Sequence, residues 1–181
     1  MKNWHVLQVL EGKEEKILGK INCDSNFNAF IPMRAIFHRK CGISTRVVLP
    51  LFEGYVIVET DLDYVEYKSY ANAYIKPLDG VLRLLEQDVI GSESILPHER
   101  TFIEKFTSSS RVIEPSYGII QEDKVKIIEG PLAGREREII RIDRHKRLAE
   151  ICVNMFGEVH RLKLSCEILP SSNKNHSAIV V

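Results

Sequence analysis

Lys124-Val125-Lys126-Ile127-Ile128-Glu129-Gly130-Pro131-Leu132-Ala133-Gly134 is the stretch on which the fold turns. A short run rich in β-branched residues stops at a Gly-Pro turn signal, and comparable runs follow over Glu138–Ile142, Leu148–Val153, Val159–Leu164 and Glu167–Leu169. Turn-forming residues separate them at Asp143–Arg147 and at Phe156-Gly157. Five short strands with no helical period in about 50 residues predict a small barrel, because closure buries a core without leaving long open edges.

Upstream the pattern changes. Thr107-Ser108-Ser109-Ser110, running on through Glu114-Pro115-Ser116-Tyr117-Gly118, carries neither a helical nor a strand period and reads as a linker. The expected division is therefore a front domain over residues 1–107, a linker over 108–120, a barrel over 121–170 and a flexible tail over 171–181. In the front domain Trp4–Leu10 suits a strand. Glu14 and Glu15 fall where a following helix favours carboxylates, and Ile17, Leu18 and Ile21 share one face of it. Phe27–Phe37 and Arg46–Thr60 read as strands of a long hairpin turning near Cys41-Gly42. Leu62–Ala73 has a helical period, Val81–Leu85 reads as a strand, and Leu96–Phe106 as a helix with Pro97 at its start. This order implies an α+β fold, an antiparallel sheet with flanking helices, followed by the barrel.

Composition narrows the function. Lys and Arg number 25, as do Asp and Glu, so a zero net charge supplies no bulk attraction to nucleic acid or anionic membrane, and any basic surface must be local. No apolar run approaches the roughly 20 residues of a membrane span or forms the core of a signal peptide, so a cytoplasmic protein is expected. The four cysteines form no C-x-x-C pair, and the six histidines show no metalloprotease spacing. No P-loop or nucleophile elbow occurs. Neither catalysis nor a metal or cofactor is expected.

Two further stretches carry a family resemblance. Trp4-His5-Val6-Leu7-Gln8-Val9 before Gly12-Lys13-Glu14, and Pro50-Leu51-Phe52-Glu53-Gly54-Tyr55-Val56-Ile57-Val58-Glu59, resemble the amino-terminal (NGN) domain of NusG-type transcription factors. Asp123–Gly134, with Phe156-Gly157 and Glu167-Ile168-Leu169, resembles that family's SH3-like KOW barrel. Together these motifs cover nearly the whole chain. Two departures stand out: Glu53 where the family usually has proline, and Arg137 where KOW motifs usually carry glycine. Arg137 implies either an altered bulge or an exposed side chain turned to another use.

The resemblance implies that the front domain grips the clamp helices of RNA polymerase through a concave apolar patch. The matching residues are Phe52, Tyr55 and Ile57, with Trp4 beneath or beside them and Lys13 at the rim; core packing is the competing reading for each, Trp4, Ile57 and Tyr55 among them, and Phe52 beside its Gly-containing turn suits contact best. Arg34, His38, Arg39, Lys40 and Arg46 place four formal positive charges and no acid on the hairpin, suited either to phosphates of upstream or non-template DNA or simply to solvent. Arg135, Arg137, Arg141, Arg144, Lys146 and Arg147, with His145, outweigh Glu136, Glu138 and Asp143 by three charges, and Arg161 and Lys163 alternate with leucines nearby. An RNA-binding surface is the expectation there, with loop charge that serves only solubility as the competing reading.

That Arg-rich segment makes the chain resemble the LoaP-type specialised antiterminators, whose KOW domain is understood to recognise a hairpin in leader RNA. The expected function is thus processive antitermination by a monomer carrying a polymerase-binding front and an RNA-binding rear. The alternative is a general NusG elongation factor whose KOW domain binds Rho or a ribosomal protein.

Overall fold

A computed structural model describes residues 2–40, 43–85, 95–122 and 124–169. The expected turn at Cys41-Gly42 and the tail after Leu169 lie outside these residues.

The front half is built on strands β1 (Asn3–Val9), β2 (Phe27–Phe30), β5 (Tyr55–Thr60) and β6 (Val81–Leu84), in the antiparallel order β2-β5-β1-β6. All six residues of β5 are buried, so this sheet is covered on both faces. The two-residue period of a strand sorts them. Leu7, Val9, Val56 and Val58 face helices α1 (Glu14–Ile21) and α2 (Tyr64–Tyr70) through Ile17, Ile21 and Tyr67. Trp4, Val6, Tyr55 and Ile57 join a second cluster that contains Ile103 and Phe106 of helix α3 (Pro97–Phe106). Strand β1 places His5 on the α2 side, where its ring stacks on Tyr67 at 3.7 Å between centroids. Both helix starts are signalled in the sequence: Glu14 and Glu15 occupy the first turn of α1, and Pro97 opens α3. A π-helical turn over Ala71–Ile75 extends α2 and buries Ala71 and Ile75 on the same core.

The two long expected strands are each broken in two. β3 (Met33–Lys40) and β4 (Ile43–Pro50) leave the main sheet to form the projecting hairpin, with Lys40 opposite Ile43. Pro32 and the Leu51–Gly54 turn are the breaks. Gly54 has φ +79° and lies 3.0 Å, measured from a Cβ built on it, from the Val9 carbonyl oxygen, so only glycine fits that turn.

The rear half is a curled five-stranded sheet ordered β10-β11-β12-β8-β9. Its strands are β8 (Ser116–Gln121), β9 (Lys124–Glu129), β10 (Ile139–Asp143), β11 (Leu148–Met155) and β12 (Glu158–Leu169). The count agrees with expectation but the membership does not. The last two expected strands are one continuous β12, and the fifth is β8, which falls in the stretch read as linker. A further short strand in that stretch, β7 (Val112–Ile113), pairs parallel with β3, and β8 pairs parallel with β12. The connection is thus structured nearly throughout. Gly118 hid β8 from the pattern, and it is required there: a Cβ would come within 2.9 Å of the Lys126 carbonyl oxygen. The Glu136 carboxylate accepts a hydrogen bond from the Ile127 N–H at 2.9 Å, joining β9 to the turn that enters β10.

Candidate functional site

The aromatic residues expected to form an open hollow are instead interior. Trp4, Phe52, Tyr55 and Ile57 are at most 5% exposed, and they share one continuous cluster with Ile151, Met155, Phe156 and Leu164 of the barrel. Phe156 is the centre of this seam. Its ring stacks on Tyr55 with centroids 4.8 Å apart and meets Phe52 edge-on at 5.2 Å; His160 adds a second edge contact to Phe52 at 5.0 Å. Burial raises the pKa of the Tyr55 hydroxyl, and the Glu158 carboxylate of the barrel adds to the shift.

The turn that delivers Phe156 is unusual. It joins β11 to β12 in two residues, Phe156 at φ +59° and Gly157 at φ +80°, the pattern of a type I′ hairpin. Such turns favour asparagine or glycine at the first position, because a bulky side chain at positive φ is strained. The ring is therefore held against local preference by what it touches. A second tie fixes it: the Glu99 carboxylate, itself buried, accepts from the backbone N–H of Phe156 through one oxygen and from Leu96 N–H at 2.8 Å through the other. One side chain both caps α3 and anchors the barrel turn to it. Arg135 lays its guanidinium over Phe106 at 4.4 Å on the same boundary.

Trp4 lies deeper, edge-on to Phe30 at 5.1 Å and flanked by the guanidinium groups of Arg100 and Arg111 at 4.6 and 4.9 Å. It is a core residue. Lys13 stands at the start of α1 and pairs with Asp79 at 3.1 Å.

The two basic clusters are redistributed. Arg34 turns into the boundary between the halves, where its Nη1 donates to the Lys163 carbonyl at 2.8 Å and burial lowers its pKa. Arg46 pairs with Glu114 at 2.8 Å. His38 is exposed, and Arg39 and Lys40 end β3; the side chains of these last two lie outside the described residues. In the barrel, Arg135 pairs with Glu138, Arg147 with Glu167 and Arg161 with Glu150, at 3.2, 3.2 and 3.0 Å. Arg137 is exposed in a 3₁₀ turn, Glu136–Glu138, and a register shift follows between Ile139 and Arg141. Arg137 thus stands in solvent, and the irregular register falls two residues beyond it.

Arg137, Arg141, Arg144, His145, Lys146, Arg161 and Lys163 stay outward, Arg161 while paired with Glu150. The turn bearing three of them is ordered by the Asp143 carboxylate, which accepts from the Lys146 N–H at 2.9 Å and has its pKa lowered chiefly by that bond.

Comparison with known proteins accords with this architecture. Residues 2–107 match the family described as "Transcription termination factor nusG". The chain belongs to the NusG family. It is 27% identical over 168 residues to the transcription termination/antitermination protein NusG of Halalkalibacterium halodurans, covering 86% of this chain and 90% of that protein. The Bacillus subtilis NusG of the same description is 26% identical over 167 residues, with the same coverage. Among solved structures, one titled "Domain interaction in Thermotoga maritima NusG" covers 91% of this chain and 94% of its own at a TM-score of 0.50 and 19% identity, a likeness of fold. The NusG family consists of transcription factors, not enzymes. Among the described residues no helix is long and apolar enough to cross a membrane, and no group of three or more His, Cys, Asp or Glu side chains is placed to hold a metal.

Proposed function

We propose that this NusG-family protein is a specialised antitermination factor. Its NGN half, residues 1–107, binds the clamp helices of RNA polymerase, and its KOW barrel captures a hairpin in nascent leader RNA, so that terminators of selected operons are read through. The observation that carries the reading is the aromatic seam. Phe52 and Tyr55 form a ring-bearing surface matched to another aromatic side chain, and in this conformation the barrel itself fills it. Polymerase binding then requires the barrel to lift away, which frees both halves at once.

The strained Phe156 turn supports a contact made to be broken, since local geometry gains what the seam loses. The outward Arg141, Arg144, His145 and Lys146 suit a folded RNA, supplying guanidinium forks and an ammonium on a pre-ordered turn. The alternative is a general elongation role in which the barrel binds a protein, Rho or a ribosomal protein.

The test uses the full chain on immobilised polymerase together with a labelled leader hairpin. Phe156→Asn, which suits a type I′ turn and removes the covering ring, is expected to raise polymerase retention severalfold. Adding Tyr55→Ala should abolish that gain. Arg144→Ala should weaken the hairpin without altering polymerase retention. Retention indifferent to both Phe156 and Tyr55 would defeat the polymerase surface, and hairpin binding indifferent to Arg144 would favour the protein-binding alternative.

A further inference from the structure

The two basic clusters, far apart in sequence, meet across the boundary between the halves. Ile36, Phe37 and His38 of β3 with Ser44 of β4 form one wall of a groove of about 390 Å³; His145, Lys146 and neighbouring residues of the β10–β11 turn form the other. Among the described residues, no carboxylate lines it. Lys146 continues into a second groove of about 240 Å³ shared with Arg141 and Lys163, where Asp143 and Glu150 also lie. In a chain of zero net charge, this is a local concentration of cationic and hydrogen-bonding side chains around a half-buried aromatic ring.

We infer that the groove is a binding site for an unpaired RNA strand, present only while the two halves are packed together. The chemistry matches a single strand better than a duplex. A splayed base stacks on an aromatic ring such as Phe37, which a paired base cannot do. Lys146, Lys163 and Arg141 lie along a path for consecutive phosphates. Ser44, His38 and His145 both donate and accept, as a ribose 2′-hydroxyl requires. Neither wall alone provides the set, since the ring comes from the hairpin and the lysines come from the barrel.

The site goes beyond the hairpin surface proposed above and does not depend on polymerase binding. It carries a consequence: a ligand held by both halves favours the packed arrangement, so strand binding here and any binding that parts the halves oppose each other reciprocally.

The experiment is fluorescence anisotropy of the full chain with a labelled ten-nucleotide uridine oligomer, with the matching deoxy-oligomer in a second arm. Ser44 and His145 are exposed, one on each wall, so substitutions there leave the fold intact. Ser44→Glu and His145→Glu are each expected to weaken RNA binding by roughly fivefold or more at low salt, and Ser44→Lys to tighten it, a gain that a misfolded variant cannot mimic. RNA should bind more tightly than DNA. The inference is overturned if the oligomer does not bind, if only His145→Glu weakens it, which assigns the strand to the barrel alone, or if RNA and DNA bind equally. The Arg144→Ala variant separates this from hairpin capture: it should reduce hairpin binding and leave the oligomer nearly unaffected.

Discussion

The two faces of the front sheet are equally dry but differently closed. One is covered by α1 and α2, whose chain is continuous with the strands they protect. The other is covered by α3 and by a barrel that begins more than 50 residues after β5 ends. The first face is paired within one folding unit. The second is shared between two, and its central contact rests on a turn in an unfavourable backbone conformation. Equal burial therefore does not mean equal permanence. A face closed by its own helices opens only when the domain unfolds, whereas one closed by a neighbour can open with both partners intact.

The largest effect should appear on the permanent face. Ile17→Ala removes a fully buried side chain between α1 and the sheet and should cost about 2–5 kcal/mol, read as a lower urea midpoint with unchanged slope. A loss below about 1 kcal/mol would mean that this face is not the rigid one.

Next is a pH effect confined to the same face. Burial lowers the pKa of His5 from 6.5 to about 4, and its ring nitrogens have no hydrogen-bond partner. The folded state thus prefers the neutral ring and the unfolded state binds more protons in between. Stability is intact above about 6.5 and is lost as pH falls toward 4. At about 1.4 kcal/mol per pH unit the loss approaches 3 kcal/mol. Chemical denaturation across this range should show the slope, and His5→Phe, which keeps the stack on Tyr67, should flatten it.

On the separable face the expected stability changes are smaller and the conformational ones larger. Glu99→Gln weakens both N–H contacts of the anchoring carboxylate and should cost about 1–2 kcal/mol. Phe156→Asn should cost about 2 kcal/mol, because turn relief offsets only part of the lost contact. It should also raise hydrogen exchange at Leu51–Tyr55 and the radius of gyration. If Phe156→Asn unfolds the barrel cooperatively, the two faces are alike after all. The smallest effect belongs to Arg144→Ala on the exposed turn, within about 0.5 kcal/mol in stability.

How far the sequence could be read follows the same division. The helices, the hairpin and the barrel class were legible because each rests on a local signal: a 3.6-residue or two-residue period, Pro97, or the acidic first turn of α1. Strand β8 was not, since Pro115 and Gly118 look like breakers, and the close approach of Lys126 that demands Gly118 comes from another strand. Phe52 and Tyr55 were legible as an apolar aromatic patch but were expected to lie open, whereas both are buried. That Phe156 covers them was not legible, because it lies a hundred residues on and its turn looks like ordinary punctuation. Charge was the least informative: Arg34, Arg46, Arg135, Arg147 and Arg161 turned inward or found partners, and pairing depends on tertiary neighbours that composition cannot reveal.

The parallel pairings of β7 with β3 and β8 with β12 leave only Glu114 and Pro115 between two strands that belong to opposite halves. With both pairings intact, the leash reaches roughly 10 Å at most; once the two-residue β7 peels away, the chain from Thr107 to Pro115 reaches about 30 Å. Parting the halves therefore leaves their joined ends within that distance, which makes the molecule a short-tethered pair of modules rather than two independent ones.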